Sequence, residues 1–198
     1  MTPIGVFGGT FDPPHIGHLV AAADARVALG LETVLLVVAA DPWQKAGEVI
    51  APAADRLAMV EAAVAGVVGL EAEGCEIDRG GPTYTADTLA ELARRHPGRE
   101  LVLLVGADVA AGLGSWRRLD EVRALATLAI LARPGSGPVV PPPGWRHRTV
   151  DTPLLDISSR DLRDRLASGR PVDWLLPDPV IGYVRAHGLY RSGDGSQT

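Results

Sequence analysis

The chain has 198 residues, 46% of them hydrophobic and 22% charged, and a formal net charge of −5 at pH 7. That length suits one core-forming domain, and the acidic balance excludes a general binder of nucleic acid or anionic membrane while still allowing a local phosphate-holding cluster. The single cysteine, Cys75, excludes an internal disulfide and a cysteine-rich metal site.

Residues Met1 to Phe7 lack the basic start and apolar length of a signal peptide, and no run approaches the ~18 apolar residues of a membrane helix. A cytoplasmic enzyme is the expectation. Ile4 to Phe7 predicts a short first strand that ends in Gly8-Gly9. Gly17 to Leu29 carries small and apolar residues at helical spacing, with Gly30 placed as a C-cap. Thr33 to Val38 is a continuous β-branched and leucine run, the pattern of a strand covered on both faces. Asp41 to Val49 reads as a loop after a strand end, and Ala53 to Val64 as a helix with Pro52 at its first turn.

Val67 to Ile77 reads as a strand passing into an extended connection, Arg79-Gly80-Gly81-Pro82 as a turn, and Thr83 to Arg95 as a helix. Leu101 to Val105 predicts a central strand ending in Gly106-Ala107-Asp108, followed by a short helix over Leu119 to Leu125 and a buried strand over Thr127 to Ala132. Arg133 to Arg148 is rich in proline and glycine and reads as a surface loop. A short strand at Thr149 and Val150, a helix from Ser159 to Ser168 with Ser158 as its cap, and a last helix from Pro179 to Arg185 complete the pattern. The alternation predicts an α/β fold with a mostly parallel sheet and helices on both faces. Residues 1–190 are expected to form one domain with a small C-terminal helical part from about 158, and 191–198 a polar tail.

The densest chemistry is Gly8-Gly9-Thr10-Phe11-Asp12-Pro13-Pro14-His15-Ile16-Gly17-His18. Two glycines allow close backbone approach to an anion, Pro14 suits the first turn of a helix whose N–H groups can meet phosphate, and His15 and His18 fall three apart on one side of that helix. With no third ligand at suitable spacing, phosphate contact is a better reading of the two histidines than metal binding. Lys45 follows the second strand, where an open α/β sheet forms its ligand crevice, and is a candidate phosphate partner. Asp108 ends the central strand, where a carboxylate can take ribose hydroxyls or serve as a helix cap. Trp116 can stack on a planar ring, and Thr83-Tyr84-Thr85 either caps a helix or touches a ligand. Ile157-Ser158-Ser159-Arg160-Asp161-Leu162-Arg163 is either a compact anion site or a capping box. Arg56 reads equally as a surface helix residue or a further phosphate contact.

Over about residues 4–190 the chain resembles the bacterial nicotinate-nucleotide adenylyltransferases, in their actinobacterial form, within the HxGH nucleotidyltransferase superfamily. Gly8 to His18 matches GGxFDPxHxGH at every fixed position. Further agreement lies in Pro42-Trp43-Gln44-Lys45, Asp78 to Leu89, Gly106-Ala107-Asp108, Trp116, Arg133-Pro134, Ile157 to Arg163 and Gly188-Leu189-Tyr190. The resemblance implies a Rossmann-like fold and adenylyl transfer from ATP to nicotinate mononucleotide with Mg2+, releasing pyrophosphate. It implies His15, His18 and Lys45 as catalytic residues. A nucleotide site follows from Gly8, Gly9, Thr10, Phe11, Gly106, Asp108, Ile157, Ser158, Ser159 and Arg163 beside the two histidines. The acceptor site it implies is Lys45, Tyr84, Thr85, Trp116 and Arg133, with no protein-held metal. Members typically carry a threonine where this chain has Arg160, and the related branch an uncharged residue where it has Asp41. The alternatives are nicotinamide mononucleotide as acceptor, another nucleoside triphosphate as donor, or a non-catalytic nucleotide binder. No nucleic-acid or membrane partner is expected, and a homo-oligomer is left open.

Overall fold

The computed structural model describes residues 1–41, 51–132, 140–153 and 155–191. In chain order these form β1 (Ile4–Gly9), α1 (Ile16–Leu29), β2 (Thr33–Val38), α2 (Ala53–Val64), β3 (Leu70–Glu73), α3 (Cys75–Arg79), α4 (Thr85–Arg95), β4 (Leu101–Gly106), α5 (Ala107–Ala111), α6 (Leu119–Leu125), β5 (Ala126–Ala132), β6 (His147–Asp151), α7 (Ser159–Ala167) and α8 (Asp178–Ala186). The strands make a six-stranded sheet in the order β3-β2-β1-β4-β5-β6, and every neighbouring pair is parallel. No helix among the described residues is long and apolar enough to cross a membrane.

A strand buried on both faces still alternates its side chains between them, and the core divides accordingly. Leu35 and Val37 of β2, Leu101, Leu103 and Val105 of β4, and Leu128 and Ile130 of β5 pack with Ala86, Leu89 and Leu92 of α4. Their alternates Val34, Leu36, Val38, Val102, Leu104, Ala129 and Leu131 pack with Ala22 and Ala25 of α1 and Val60 and Val64 of α2. A third cluster joins Met59 and Ala63 of α2 to Leu162 of α7, to Val180, Ile181 and Val184 of α8, and to Tyr190.

The strand order reverses direction between β1 and β4. Crossovers from β1 run one way to β2 and β3, and those from β4 run the other way to β5 and β6. A doubly wound sheet opens its ligand crevice at the carboxyl ends of the strands at such a switch point. Here those ends are Gly8-Gly9 and Gly106.

Several local expectations change. β1 extends through both glycines, because pairing with β2 continues to Gly8↔Val37 and Gly9↔Val38. Pro14 lies outside α1: His15 is the N-cap, with extended φ of −140°, and the helix begins at Ile16. Consecutive prolines favour extended backbone in the residue before them, which delays the helix. The stretch expected to run extended to Ile77 instead stops at Glu73 and turns into α3, where a Glu73 carboxylate oxygen accepts the Cys75 N–H at 2.8 Å and satisfies an orphan donor of that helix. α4 starts at Thr85 rather than Thr83, with Tyr84 as N-cap and no side-chain cap. α5 was not expected, and β6 runs from His147, taking two residues from the anticipated surface loop.

Candidate active site

Two cavities open at the β1–β4 switch point. The larger, about 560 Å³, lies toward α1 and α7, and the smaller, about 280 Å³, toward α3 and α4. They share one wall, made of Phe7, Gly8, Gly9, Thr10 and Gly106. A Cβ on Gly8 would meet nothing within 4 Å, so the missing side chain keeps that edge open to a ligand. At Gly9 a Cβ would come within 2.7 Å of the Phe11 ring, so there glycine is required by packing.

Every residue expected on the nucleotide side lines the larger cavity: Gly8, Gly9, Thr10, Phe11, His15, His18, Gly106, Asp108, Ile157, Ser158, Ser159 and Arg163. Arg160 lines it too. Tyr84, Thr85 and Trp116 line the smaller cavity beside Asp41, Glu76, Thr83 and Arg117. Lys45 and Arg133, with Pro42, Trp43 and Gln44, lie outside the described residues.

The His15 and His18 rings stack at 3.7 Å between centroids and 22° between planes. The His15 main-chain N–H donates to His18 Nδ1 at 3.3 Å. An imidazole nitrogen that accepts carries no proton, so His18 bears its proton on Nε2. Phe11 packs edge-on to His18 at 5.0 Å and Phe7 at 6.3 Å, which confines the ring. His18 is thus an oriented N–H donor on the wall of the larger cavity.

The α7 side joins both readings of its motif. The Ser158 hydroxyl accepts the Asp161 N–H at 3.1 Å and caps the helix, while the residue still lines the cavity. The Ser159 hydroxyl donates to Pro13 O at 3.0 Å, and Arg163 Nη1 donates to Asp12 O at 2.8 Å. Before any phosphate arrives, α7 is therefore bonded to the turn that carries the histidines.

Asp108 stands in the first turn of α5, whose N-cap is Gly106, so it is not the cap. α4 presents its N-terminus to the smaller cavity, and its N-cap Tyr84 makes no side-chain bond to the first N–H groups. The Thr83 hydroxyl there is buried and finds no partner among the described residues.

Under this surface is a polar knot whose roles were not read from sequence. Arg56 is 1% exposed and lines neither cavity. Its Nη1 donates to Thr10 O at 2.8 Å and Ala39 O at 2.7 Å, its Nη2 to Ala40 O at 3.1 Å, and its Nε to Ala51 O at 3.2 Å. One guanidinium thus ties the end of β1, the end of β2 and the start of α2. Burial pulls its pKa below the usual arginine range, and the nearby Asp12 opposes that shift. The local signal was there: Arg56, Met59, Val60 and Ala63 share one buried stripe of α2. Asp12, 2% exposed, accepts the Tyr190 hydroxyl at 2.7 Å and the Ala51 N–H at 3.3 Å, with Arg163 Nη1 3.6 Å from its other oxygen. Burial, and then the bond to Asp12, push the Tyr190 phenol up, so it stays a neutral donor.

Among the described residues no group of three or more His, Cys, Asp or Glu side chains is placed to hold a metal. Cys75 is buried and its thiol is pushed up to about 12, chiefly by desolvation, which leaves it unreactive at neutral pH.

A family model described as cytidylyltransferase-like matches residues 6–165. The chain is 44% identical over 196 residues to a probable nicotinate-nucleotide adenylyltransferase of Saccharopolyspora erythraea, covering 98% of this chain and 92% of the relative. It is 43% identical over 196 residues to one of a Roseiflexus species, covering 96% and 98%. In fold it is similar to the Plasmodium falciparum nicotinic acid mononucleotide adenylyltransferase complexed with NaAD, with a TM-score of 0.75 at 18% identity and coverage of 96% and 98%.

Proposed function

The chain belongs to the cytidylyltransferase-like family, and from that premise we propose that it transfers the adenylyl group of ATP to nicotinate mononucleotide, giving nicotinate adenine dinucleotide and pyrophosphate. The observation that carries this reading is the shared wall: two cavities meet along Gly8-Gly9, as transfer between two phosphorylated substrates requires.

In the reaction an acceptor phosphate oxygen attacks the α-phosphorus of ATP, a new P–O bond forms there, and the bond to the β-phosphate bridging oxygen breaks as pyrophosphate leaves. The acceptor phosphate has a second pKa of about 6, so it is already a nucleophile at neutral pH and needs no general base. The work left to the protein is alignment and stabilisation of charge on the transferred group. His18 Nε2–H serves as donor to the α-phosphate oxygens, and His15 holds its ring in place. Ser158, Ser159, Arg163 and the α7 N-terminus take the β- and γ-phosphates, and Asp108 the ATP ribose. On the acceptor side Trp116 stacks on the pyridine, Tyr84 and Thr85 meet its carboxylate, and Lys45 and Arg133 approach the mononucleotide phosphate. Mg2+ would be carried by the triphosphate oxygens themselves, as it commonly is with nucleotides, and would offset charge on the departing pyrophosphate.

Pyrophosphate release, measured with nicotinate or nicotinamide mononucleotide, each paired with ATP and CTP in magnesium, tests the proposal. Fast turnover with ATP and the nicotinate acceptor is expected. Preference for CTP, or no pyrophosphate with either acceptor, overturns it.

A further inference from the structure

We propose that Arg117 is the residue by which this chain tells a nicotinate acceptor from a nicotinamide one. The inference rests on the adenylyl transfer to a pyridine mononucleotide given above. The two acceptors share ring, ribose and phosphate, and a carboxylate in one replaces a carboxamide of nearly the same shape in the other. Shape separates them poorly. Main-chain N–H groups at a helix start can bond an oxygen of either. What differs is one negative charge: the partial charge of a helix start favours it modestly, and a cation that no carboxylate of the protein already holds reads it more strongly.

Arg117 meets that requirement. It is the one cationic side chain among the described residues lining the acceptor cavity, where the other charged residues are Asp41 and Glu76. Its guanidinium carbon sits 5.9 Å from the centroid of the Tyr84 ring, and its Nη1 donates to the Tyr84 hydroxyl at 3.4 Å. Tyr84 is the N-cap of α4, so this contact holds the charge at the tip of a side chain that lines the same cavity as that helix start. A guanidinium held over a ring keeps its remaining in-plane N–H groups free for a carboxylate.

The neighbouring arginine makes the contrast. Arg118 pairs with Asp87 at 2.5 Å and with Glu121 at 2.6 Å, so its charge is already compensated. Among the described residues Arg117 makes no ion pair, its bond to Tyr84 being to a neutral hydroxyl. Glu76, on the same wall, has Arg79 as the cation acting on it. It is 7% exposed and accepts the Thr88 hydroxyl at 2.6 Å. Two adjacent arginines therefore have separate tasks, one in joining α4 to α6 and one in facing the ligand.

Steady-state kinetics with magnesium and ATP on the wild type, Arg117→Met and Arg117→Lys tests this, with both acceptors at low and high salt. Arg117→Met is expected to lower the nicotinate-over-nicotinamide ratio of kcat/KM by about five- to tenfold, through a higher KM for the nicotinate form alone. Arg117→Lys should keep part of the preference. Added salt should erode it in the wild type and leave Arg117→Met unmoved, because an exposed pair is screened. An unchanged ratio in a variant with wild-type circular dichroism and Tm, or an equal rise in both KM values, overturns the proposal. A wild type that turns over neither acceptor instead defeats adenylyl transfer itself and takes this inference with it, so the two failures are told apart.

Discussion

On the α1–α7 side of the Gly8-Gly9 edge, the phosphate-facing residues are bonded inward. Arg163 and Ser159 reach the Asp12-Pro13 turn, Tyr190 reaches Asp12, and Arg56 collects four main-chain carbonyls. On the α3–α4 side, the start of α4 and the rings of Tyr84 and Trp116 line a smaller cavity whose one cationic residue among the described residues, Arg117, makes no ion pair there, while its neighbour Arg118, off that wall, is paired. The first half is built so that its donors hardly move, which suits a site that must place them on a transferring phosphoryl group. The second is built so that single side chains sort similar ligands. A nucleotide half of this kind is costly to alter, and an acceptor half is cheap to retune.

Mutations in the two halves should therefore fail differently. Arg56→Met is expected to have the largest effect on stability, about 3 kcal/mol, because it strands several buried carbonyls. Urea unfolding checks this, and a loss under about 1 kcal/mol would mean that water replaces the guanidinium and the half is less rigid than argued. His18→Ala should lower kcat by about 100-fold, some 2.7 kcal/mol, with the fold retained by circular dichroism. Near-normal turnover in the folded variant would remove the oriented N–H donor from the mechanism.

The acceptor half should respond in KM. Trp116→Ala is expected to raise the acceptor KM by about tenfold while the KM for ATP holds, as loss of one aromatic stack implies. Equal changes in both would show that the two halves are not separable. Smallest is Glu76→Gln. Burial raises the Glu76 pKa above its unfolded value, with the Thr88 bond opposing. A raised folded pKa means that the protonated form is preferred in the fold, so its contribution is present below the unfolded pKa, about 4.3, and is lost as pH rises through the folded value. The glutamine variant should therefore match the wild type at acid pH and exceed it at neutral pH, measured as urea midpoints across pH 4 to 8. A difference that does not change with pH would place Glu76 in ordinary contact with solvent.

Much of the nucleotide half could be read directly, because its elements are local. Two glycines, two histidines three apart and a serine-capped helix each declare themselves within a dozen residues, and the residues named from them line one cavity. The four inner strand runs, β1, β2, β4 and β5, were equally plain, because a doubly covered sheet demands continuous apolar stretches, whereas the edge strands β3 and β6 are largely polar. The acceptor half was read less completely. Trp116 was legible as a loop aromatic able to stack and Tyr84 as part of a helix start, whereas nothing in Arg117-Arg118 says which arginine pairs with Asp87.

The sequence by itself determined the alternation of strands and helices, the glycine edge and the identity of the donors beside it. Only the tertiary structure decided which carbonyls Arg56 meets, that the chain after Glu73 coils into α3, and that Tyr190 bonds to Asp12, 178 positions away. Periodicity reports which face of an element is apolar, and capping reports where a helix can begin. Neither reports which distant carbonyl or carboxylate a buried polar group will meet, because that partner is supplied by the packing of the sheet and its helices.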